Sequence, residues 1–375
     1  MRAAVASVWA VIIAIFFVQL ANGLQTSLLS YRAVLEAFPD WTTGIIMASY
    51  YVGYSLAPLA SRTVIGRAGH VNAMWVGAMC AALVIAAHAL LVVPIAWSVL
   101  RLISGFVLSS LYIGAESWIH DRVANDMRGR VFSIYMVVQM IAMTIAQGLF
   151  SLEDPRGVVP FLLAAALFLV GAVPVVIARH TAPRRAPPEP LDILKLFAIS
   201  PLGAVTTVLA GVSWSIVFTF GPVYARHSGF DQNQTGVFMA FAMMGGALVQ
   251  FPMGWFSDRA GRRRTLALLS AGGIAVSLFG LWADGQGALL EYVGAALTGA
   301  LVFPIYAISA AHTNDAVEPG NRVAAAAGLI LLFGLGSILG PLLCGGAATA
   351  MGSRGFYTVL AVTLSLSLAA AATTR

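Results

Sequence analysis

The sequence predicts an all-α integral membrane protein, with twelve transmembrane helices arranged as two pseudo-symmetric six-helix bundles. Three observations carry that expectation. The composition is 59% hydrophobic and 10% charged over 375 residues, whereas a soluble domain carries roughly 25% charged residues. Apolar windows of bilayer-crossing length recur along the whole chain. The second half also echoes the first at a fixed offset of 192 residues.

A helix needs about 20 apolar residues to cross a bilayer, because unpaired backbone groups cannot be left in hydrocarbon. Twelve windows satisfy this: 6–29, 42–64, 72–92, 94–118, 129–151 and 157–178, then 199–222, 234–256, 264–283, 287–310, 322–347 and 355–373. The first resembles a signal peptide in following Arg2, but it is too long for an h-region and has a counterpart at the start of the second half, so it is read as a mature span.

Orientation follows from the basic residues. Assigning alternate loops to one side gathers sixteen lysines and arginines there, leaves Arg32, Arg156, Arg226 and Arg354 opposite, and puts Arg101 inside a span. Both termini are therefore expected in the cytoplasm of a bacterial inner-membrane protein. The net charge of +6 is absorbed by that topology, and no basic stripe interleaved with aromatics remains to suggest nucleic acid.

The repeat is traced by Gly44 with Gly236, Gly53 with Gly245, Gly69 with Gly261, His120 with His312 and Arg130 with Arg322. It implies an N-terminal bundle over 1–178, a cytoplasmic linker over 179–198 that is polar and Pro-rich, and a C-terminal bundle over 199–375. Two halves in one orientation form a parallel repeat about the membrane normal, with a central cavity expected between them.

Cys80 and Cys344 lie in separate apolar stretches and offer neither a disulfide framework nor a metal site. No cofactor or metal is expected. The short loops carry no His/Asp/Glu cluster, phosphate-binding loop or nucleophile elbow, so an enzyme is disfavoured.

The loop after the eighth window reads Gly254-Trp-Phe-Ser-Asp258-Arg259-Ala-Gly261-Arg262-Arg263-Arg264-Thr-Leu266. With the twelve spans, it resembles the loop signature of the major facilitator superfamily over the whole chain. Arg101-Leu-Ile-Ser-Gly105 is similar to that superfamily's Arg-x-x-x-Gly element. Glu116-Ser-Trp-Ile-His-Asp121-Arg122 through Arg128-Gly129-Arg130 fits its span 4 to span 5 turn.

The resemblance implies a secondary transporter working by alternating access on a small solute, coupled to protons and monomeric. It also implies a cytoplasmic gate in which the Asp258 carboxylate rests against the start of span 5, at Gly129 and Arg130, when that side is shut. Such a contact suits a reversible latch of about 1–3 kcal/mol. The same charges also obey the positive-inside rule. In the first half Gly66 stands where the aspartate would be, which predicts an asymmetric lock. The sugar-porter linker motif and the Gly-x-x-x-Gly-Pro element of drug/proton antiporters are both missing, the latter replaced by Ile145-Ala-Gln147-Gly148. A non-transporting receptor or assembly factor on the same scaffold is the alternative, and a channel a more distant one.

Ionisable groups within spans mark pathways, because each costs about 2.5–3.5 kcal/mol at mid-helix. Arg101 is the cavity cation, read as an anion contact, a proton-relay member or an inter-helix hydrogen-bonding group. Glu116 is within reach of Arg122, Arg128 and Arg130 and reads as a latch component before a proton carrier. Glu291 and His88 fall near the outer interface, where hydration is expected. Glu116, Glu291 and Arg101 are thus the proton-coupling candidates. Gln19, Asn22 and Thr26 share one face of span 1, and Tyr50 with Tyr54 a face of span 2. Trp214, which replaces Asn22 at the repeat offset, joins Tyr306 and Gln139 as further cavity liners. Gly245-Gly246, the Gly334–Pro341 stretch, Pro252 and Pro304 suit sliding helices or plain tight packing.

Overall fold

A computed structural model of the chain describes residues 7–123, 125–181, 194–318 and 322–373. Among these, twelve long helices stand at the predicted windows: α1 (Trp9–Leu35), α2 (Asp40–Ala68), α3 (His70–Leu90), α4 (Pro94–Arg122), α5 (Asn125–Phe150), α6 (Val159–Ile177), α7 (Pro201–His227), α8 (Gln232–Ala260), α9 (Arg262–Ala283), α10 (Ala288–Ala316), α11 (Arg322–Met351) and α12 (Arg354–Thr373). Eleven are long and apolar enough to cross a membrane by themselves. The twelfth, α2, has the length but carries Asp40, Thr42, Thr43, three tyrosines and Arg67.

Local chemistry sets the boundaries. Pro94 and Pro201 open α4 and α7 at a position where the missing N–H is not needed. Asp231 caps α8 reciprocally: its carboxylate accepts from the Gln234 amide at 2.8 Å while the Gln234 side chain accepts from the Asp231 amide at 3.1 Å. The turns before α3 and α9 each hinge on a glycine at positive φ, Gly69 at 82° and Gly261 at 92°. These are repeat partners, and the left-handed backbone explains why both halves place glycine there.

The burial pattern is that of a bilayer protein. Leu83, Ile95, Leu248 and Phe251 expose 70%, 78%, 71% and 82% of their surface, while Gln25, Arg101, Gln147 and Ser104 are buried. Apolar side chains outside and polar ones inside invert the arrangement water imposes.

The chain divides into two compact units: residues 1–29 with 49–188, and 30–48 with 189–375. The second therefore includes the α1–α2 corner in addition to the C-terminal half. In the first unit α3 packs on α4 and α6, and α2 crosses α4 where Gly53 and Gly105 face each other's helix: a Cβ on either would land on the carbonyl oxygen of Leu102 or Tyr50. In the second unit the α8–α10 crossing repeats the device, with Gly245 against Ala296 and Gly299 against Ala242. There α7 also packs on α11 through Gly211 and Gly336, and α9 on α10 and α12.

The α1–α2 corner is held within the second unit by several contacts. His227 Nε2 lies 2.9 Å from Asp40 Oδ1, the Trp41 amide donates to Thr349 Oγ1 at 3.1 Å, and Gly44 meets Pro341 and Gly345. Of the linker, 182–193 lies outside the described residues. A short helix, Leu194–Ile199, follows, and Leu196 joins Ala204, Val317, Ala325, Leu329 and Leu332 in a buried cluster.

Candidate functional site

The first unit is threaded by a polar seam. On α1, the Gln19 amide donates to Gln139 Oε1 at 3.1 Å, and its carbonyl accepts from the Tyr112 hydroxyl. Three residues on, Asn22 is in hydrogen-bond reach of both Tyr50 and Tyr112. Gln25 donates to Ser104 at 2.9 Å, and Ser27 to Gln147 at 2.8 Å. The rings of Tyr50 and Tyr54 lie 6.2 Å apart, and those of Tyr54 and Tyr112 6.4 Å. Tyr135 on α5 donates to Glu116 at 3.5 Å. Arg101 is buried at 0% exposure with its guanidinium 4.4 Å from the centre of the Tyr50 ring.

The structure thus brings together Gln19, Asn22, Tyr50, Tyr54, Arg101 and Gln139 in one unit. Thr26, one turn beyond Asn22, is buried. Glu116 does not meet an arginine among the described side chains. Arg122 lies 3.9 Å from Asp121, the Arg130 side chain is exposed, and those of Arg128 and Gly129 lie outside the described set.

Trp214 and Tyr306 belong to an aromatic cluster in the second unit. Trp214 sits 4.9 Å from Phe218, 5.8 Å from Phe303 and 6.0 Å from Phe333, and Tyr306 sits 4.8 Å from Phe333.

Two expectations are corrected. Glu291 and His88 are not hydrated interface groups. Glu291 is 1% exposed, accepts from the Tyr224 hydroxyl at 2.6 Å and from the Gly285 amide at 3.3 Å, and belongs to a knot that includes Asp284, held by Ser228 and Ser353. His88 is fully buried, its Nδ1 2.8 Å from the Val84 carbonyl. Sequence position near a span end does not reveal that neighbouring helices cover that end.

At the turn between α8 and α9, Arg262 clamps two carboxylates: Asp258 at 2.5 Å and Asp315, from the end of α10, at 3.1 Å. A guanidinium fork shared by two carboxylates ties three helix ends together. The other arginines have different work. Arg263 donates to the Ala371 and Ala372 carbonyls at 2.6 and 2.8 Å, closing the end of α12. Arg259 stacks at 3.7 Å on Trp255. Gly254 has open space around its Cα.

The equivalent corner of the first unit keeps only part of the clamp. Gly66 replaces the carboxylate, and His70 stands at the repeat position of Arg262, its Nε2 3.0 Å from Ser117.

Sequence reasoning about the site passed over Tyr112, Tyr135, Tyr51, Gln25, Ser104 and Asp315. A signal existed for some. Arg101, Ser104, Tyr112 and Glu116 fall on one face of α4 at helical spacing, and Asp121 and Asp315 end the repeat-related helices α4 and α10.

A family model described as Major Facilitator Superfamily matches residues 11–247 and 203–375. The chain is 24% identical over 330 residues to the "Uncharacterized MFS-type transporter YcaD" of Escherichia fergusonii, covering 86% of this chain and 84% of that protein. It is also 24% identical over 326 residues to the "Uncharacterized MFS-type transporter Ent638_1421" of Enterobacter sp. (strain 638), with the same coverage. Its fold is similar to that of the nucleoside transporter NupG, with a TM-score of 0.78 at 19% identity over 97% of this chain and 97% of that one. It is similar too to a bacterial homologue of the human lysosomal transporter Spinster in an inward-facing, unoccupied conformation, at 0.78 and 14% over 98% and 95%. With the helix pattern, the loop signature and these matches, the chain is a multi-pass membrane protein and belongs to the major facilitator superfamily.

Proposed function

We propose that the chain is a secondary active transporter of a small organic solute, working by alternating access as a monomer in a bacterial inner membrane, with both termini cytoplasmic and transport coupled to protons. The observation that carries this reading is the seam of the first unit. Polar side chains from α1, α2, α4 and α5 are gathered inside a membrane bundle, from Arg101 to Glu116, at a cost that packing alone does not require.

In this reading Gln19, Asn22, Thr26, Tyr50, Tyr54, Arg101 and Gln139, with Trp214 and Tyr306 from the second unit, meet the solute. Glu116, joined to Tyr135, is the proton carrier. Glu291 is reassigned to holding the second unit together, because its oxygens already accept from Tyr224 and Gly285. Gly254, Asp258, Arg259, Gly261 and Arg262, with Arg128, Gly129 and Arg130, bias the conformational equilibrium from the cytoplasmic side. The bodies that move are expected to follow 1–178 and 199–375.

The test is flux into proteoliposomes with and without an imposed pH gradient. Saturable flux that responds to the gradient, and loses that response in Glu116→Gln, supports the reading. Ligand binding without any flux would instead indicate a receptor on a transporter scaffold.

A further inference from the structure

Arg101 is the least compensated group in the first unit. It is fully buried, and its Nε, Nη1 and Nη2 have no hydrogen-bond partner among the described residues. The only described group offsetting its charge at short range is the Tyr50 ring. A guanidinium presents five N–H donors and stays charged, so holding it out of water without acceptors costs several kcal/mol.

No carboxylate of the described chain is placed to take it. Glu116 lies fifteen residues further along α4, about 22 Å at 1.5 Å per residue. Glu291 is engaged by Tyr224 and Gly285, Asp40 by His227, and Glu36 by Arg32 at 3.1 Å.

Other polar groups of the first unit share the condition of Arg101. Asn22 Oδ1, Thr26 Oγ1, the Tyr51 hydroxyl and His88 Nε2 are all buried with no hydrogen-bond partner among the described residues. Tyr50, Tyr51 and His88 lie within the electrostatic reach of Arg101. Because His88 Nδ1 faces the Val84 carbonyl, that nitrogen is the donor, and Nε2 of the neutral ring is left as an acceptor. One cation is therefore accompanied by hydroxyl groups, one amide carbonyl and one imidazole acceptor, contributed by α1, α2 and α3.

We propose that this cluster is the subsite for the charged end of the transported solute, and that the solute is a small hydroxylated monocarboxylate. The inference rests on the transporter reading above. The guanidinium fork matches a carboxylate with two parallel hydrogen bonds. Asn22, Thr26, Tyr51 and His88 then serve the solute's hydroxyl groups. A single buried cation balances a single negative charge, and a dianion such as a phosphate monoester would bring a second charge with no counterpart, which disfavours it.

The experiment uses the purified full chain and two matched pairs of probes, gluconate with glucose and glycerate with glycerol. Thermal unfolding in detergent is followed by counterflow in proteoliposomes. At least one carboxylate should raise the melting temperature while its neutral partner does not. Arg101→Lys, which keeps the charge but not the fork, should weaken that response by about tenfold, and Arg101→Met by roughly 10- to 100-fold. Without ligand, Arg101→Met should melt at or above the wild-type temperature, since it removes an unpartnered buried charge. A clear drop would mean the arginine is a strut and would overturn the proposal. So would equal stabilisation by the neutral probes, no stabilisation by either carboxylate, or an unchanged response in Arg101→Met. Counterflow separates the two levels. Flux of a neutral solute that persists in Arg101→Met overturns the carboxylate assignment and keeps the transporter. Arg101-dependent stabilisation without flux keeps the subsite and overturns the transporter.

Discussion

At the scale of single residues, two arginines stand at opposite extremes: Arg262 is shared by two carboxylates, and buried Arg101 has no hydrogen-bond partner among the described residues. The Arg262 fork spans Asp258 and Asp315, while the first unit offers Gly66 and His70 at the same corner. Asp258→Asn should therefore cut transport by about tenfold, as expected for loss of a coupling contact near 1–3 kcal/mol. Gly66→Ala should leave it within about twofold of wild type, because no carboxylate contact is there to lose. Initial flux rates of the two variants check this, and equal losses would refute an asymmetric gate. Glu291 shows the same logic in a structural role. Tyr224→Phe removes the 2.6 Å donor to a buried carboxylate and should lower stability by about 1–3 kcal/mol, read as a fall in melting temperature with the substrate affinity unchanged.

At the scale of elements, backbone approach decides which helices pair. The α2–α4 crossing has no room for a side chain at Gly53 or Gly105, since a Cβ there would fall on a facing carbonyl oxygen. Gly105→Ala should force the helices apart and destabilise by about 1–3 kcal/mol, the usual range for overpacking. It should also disturb solute binding, because Tyr50, whose carbonyl Gly105 faces, carries the ring beneath Arg101. By contrast Gly66→Ala and Gly254→Ala, which meet nothing within 4 Å, should leave the melting temperature unchanged. Parallel thermal melts of the three variants test the distinction. The polar face of α4 follows the same geometry: Arg101, Ser104, Tyr112 and Glu116 recur at helical spacing, so one rigid helix carries both ends of the seam.

At the scale of the whole molecule, the compact units do not follow the sequence repeat. Residues 30–48 belong by repeat to the first half yet pack in the second unit, through Asp40 with His227 and Gly44 with Gly345. If alternating access holds, that joint must open in each cycle. Gly345→Leu, whose side chain would strike the Asp40 carbonyl and Gly44, should then speed hydrogen exchange across 30–48. Unchanged protection there would show that the joint is not the weak point.

How much of this was legible beforehand differs by level. Twelve spans and the two-fold repeat follow from composition and spacing, because the bilayer imposes length and polarity on each helix independently of its neighbours, and the loop after the eighth span added the resemblance to the family. Gln19 and Gln139, each chosen as a cavity liner on its own, are hydrogen-bonded to one another. Position along the chain misjudged Glu291 and His88, which helices from elsewhere in the sequence bury. It also passed over Tyr112, Tyr135 and Asp315, whose roles exist only through partners far away in the chain. The sequence by itself thus determined the membrane-spanning pattern and its duplication. Only the tertiary structure decided which polar groups are satisfied and which, like Arg101, have no hydrogen-bond partner among the described residues, because hydrogen bonding between helices depends on three-dimensional proximity that no local pattern encodes.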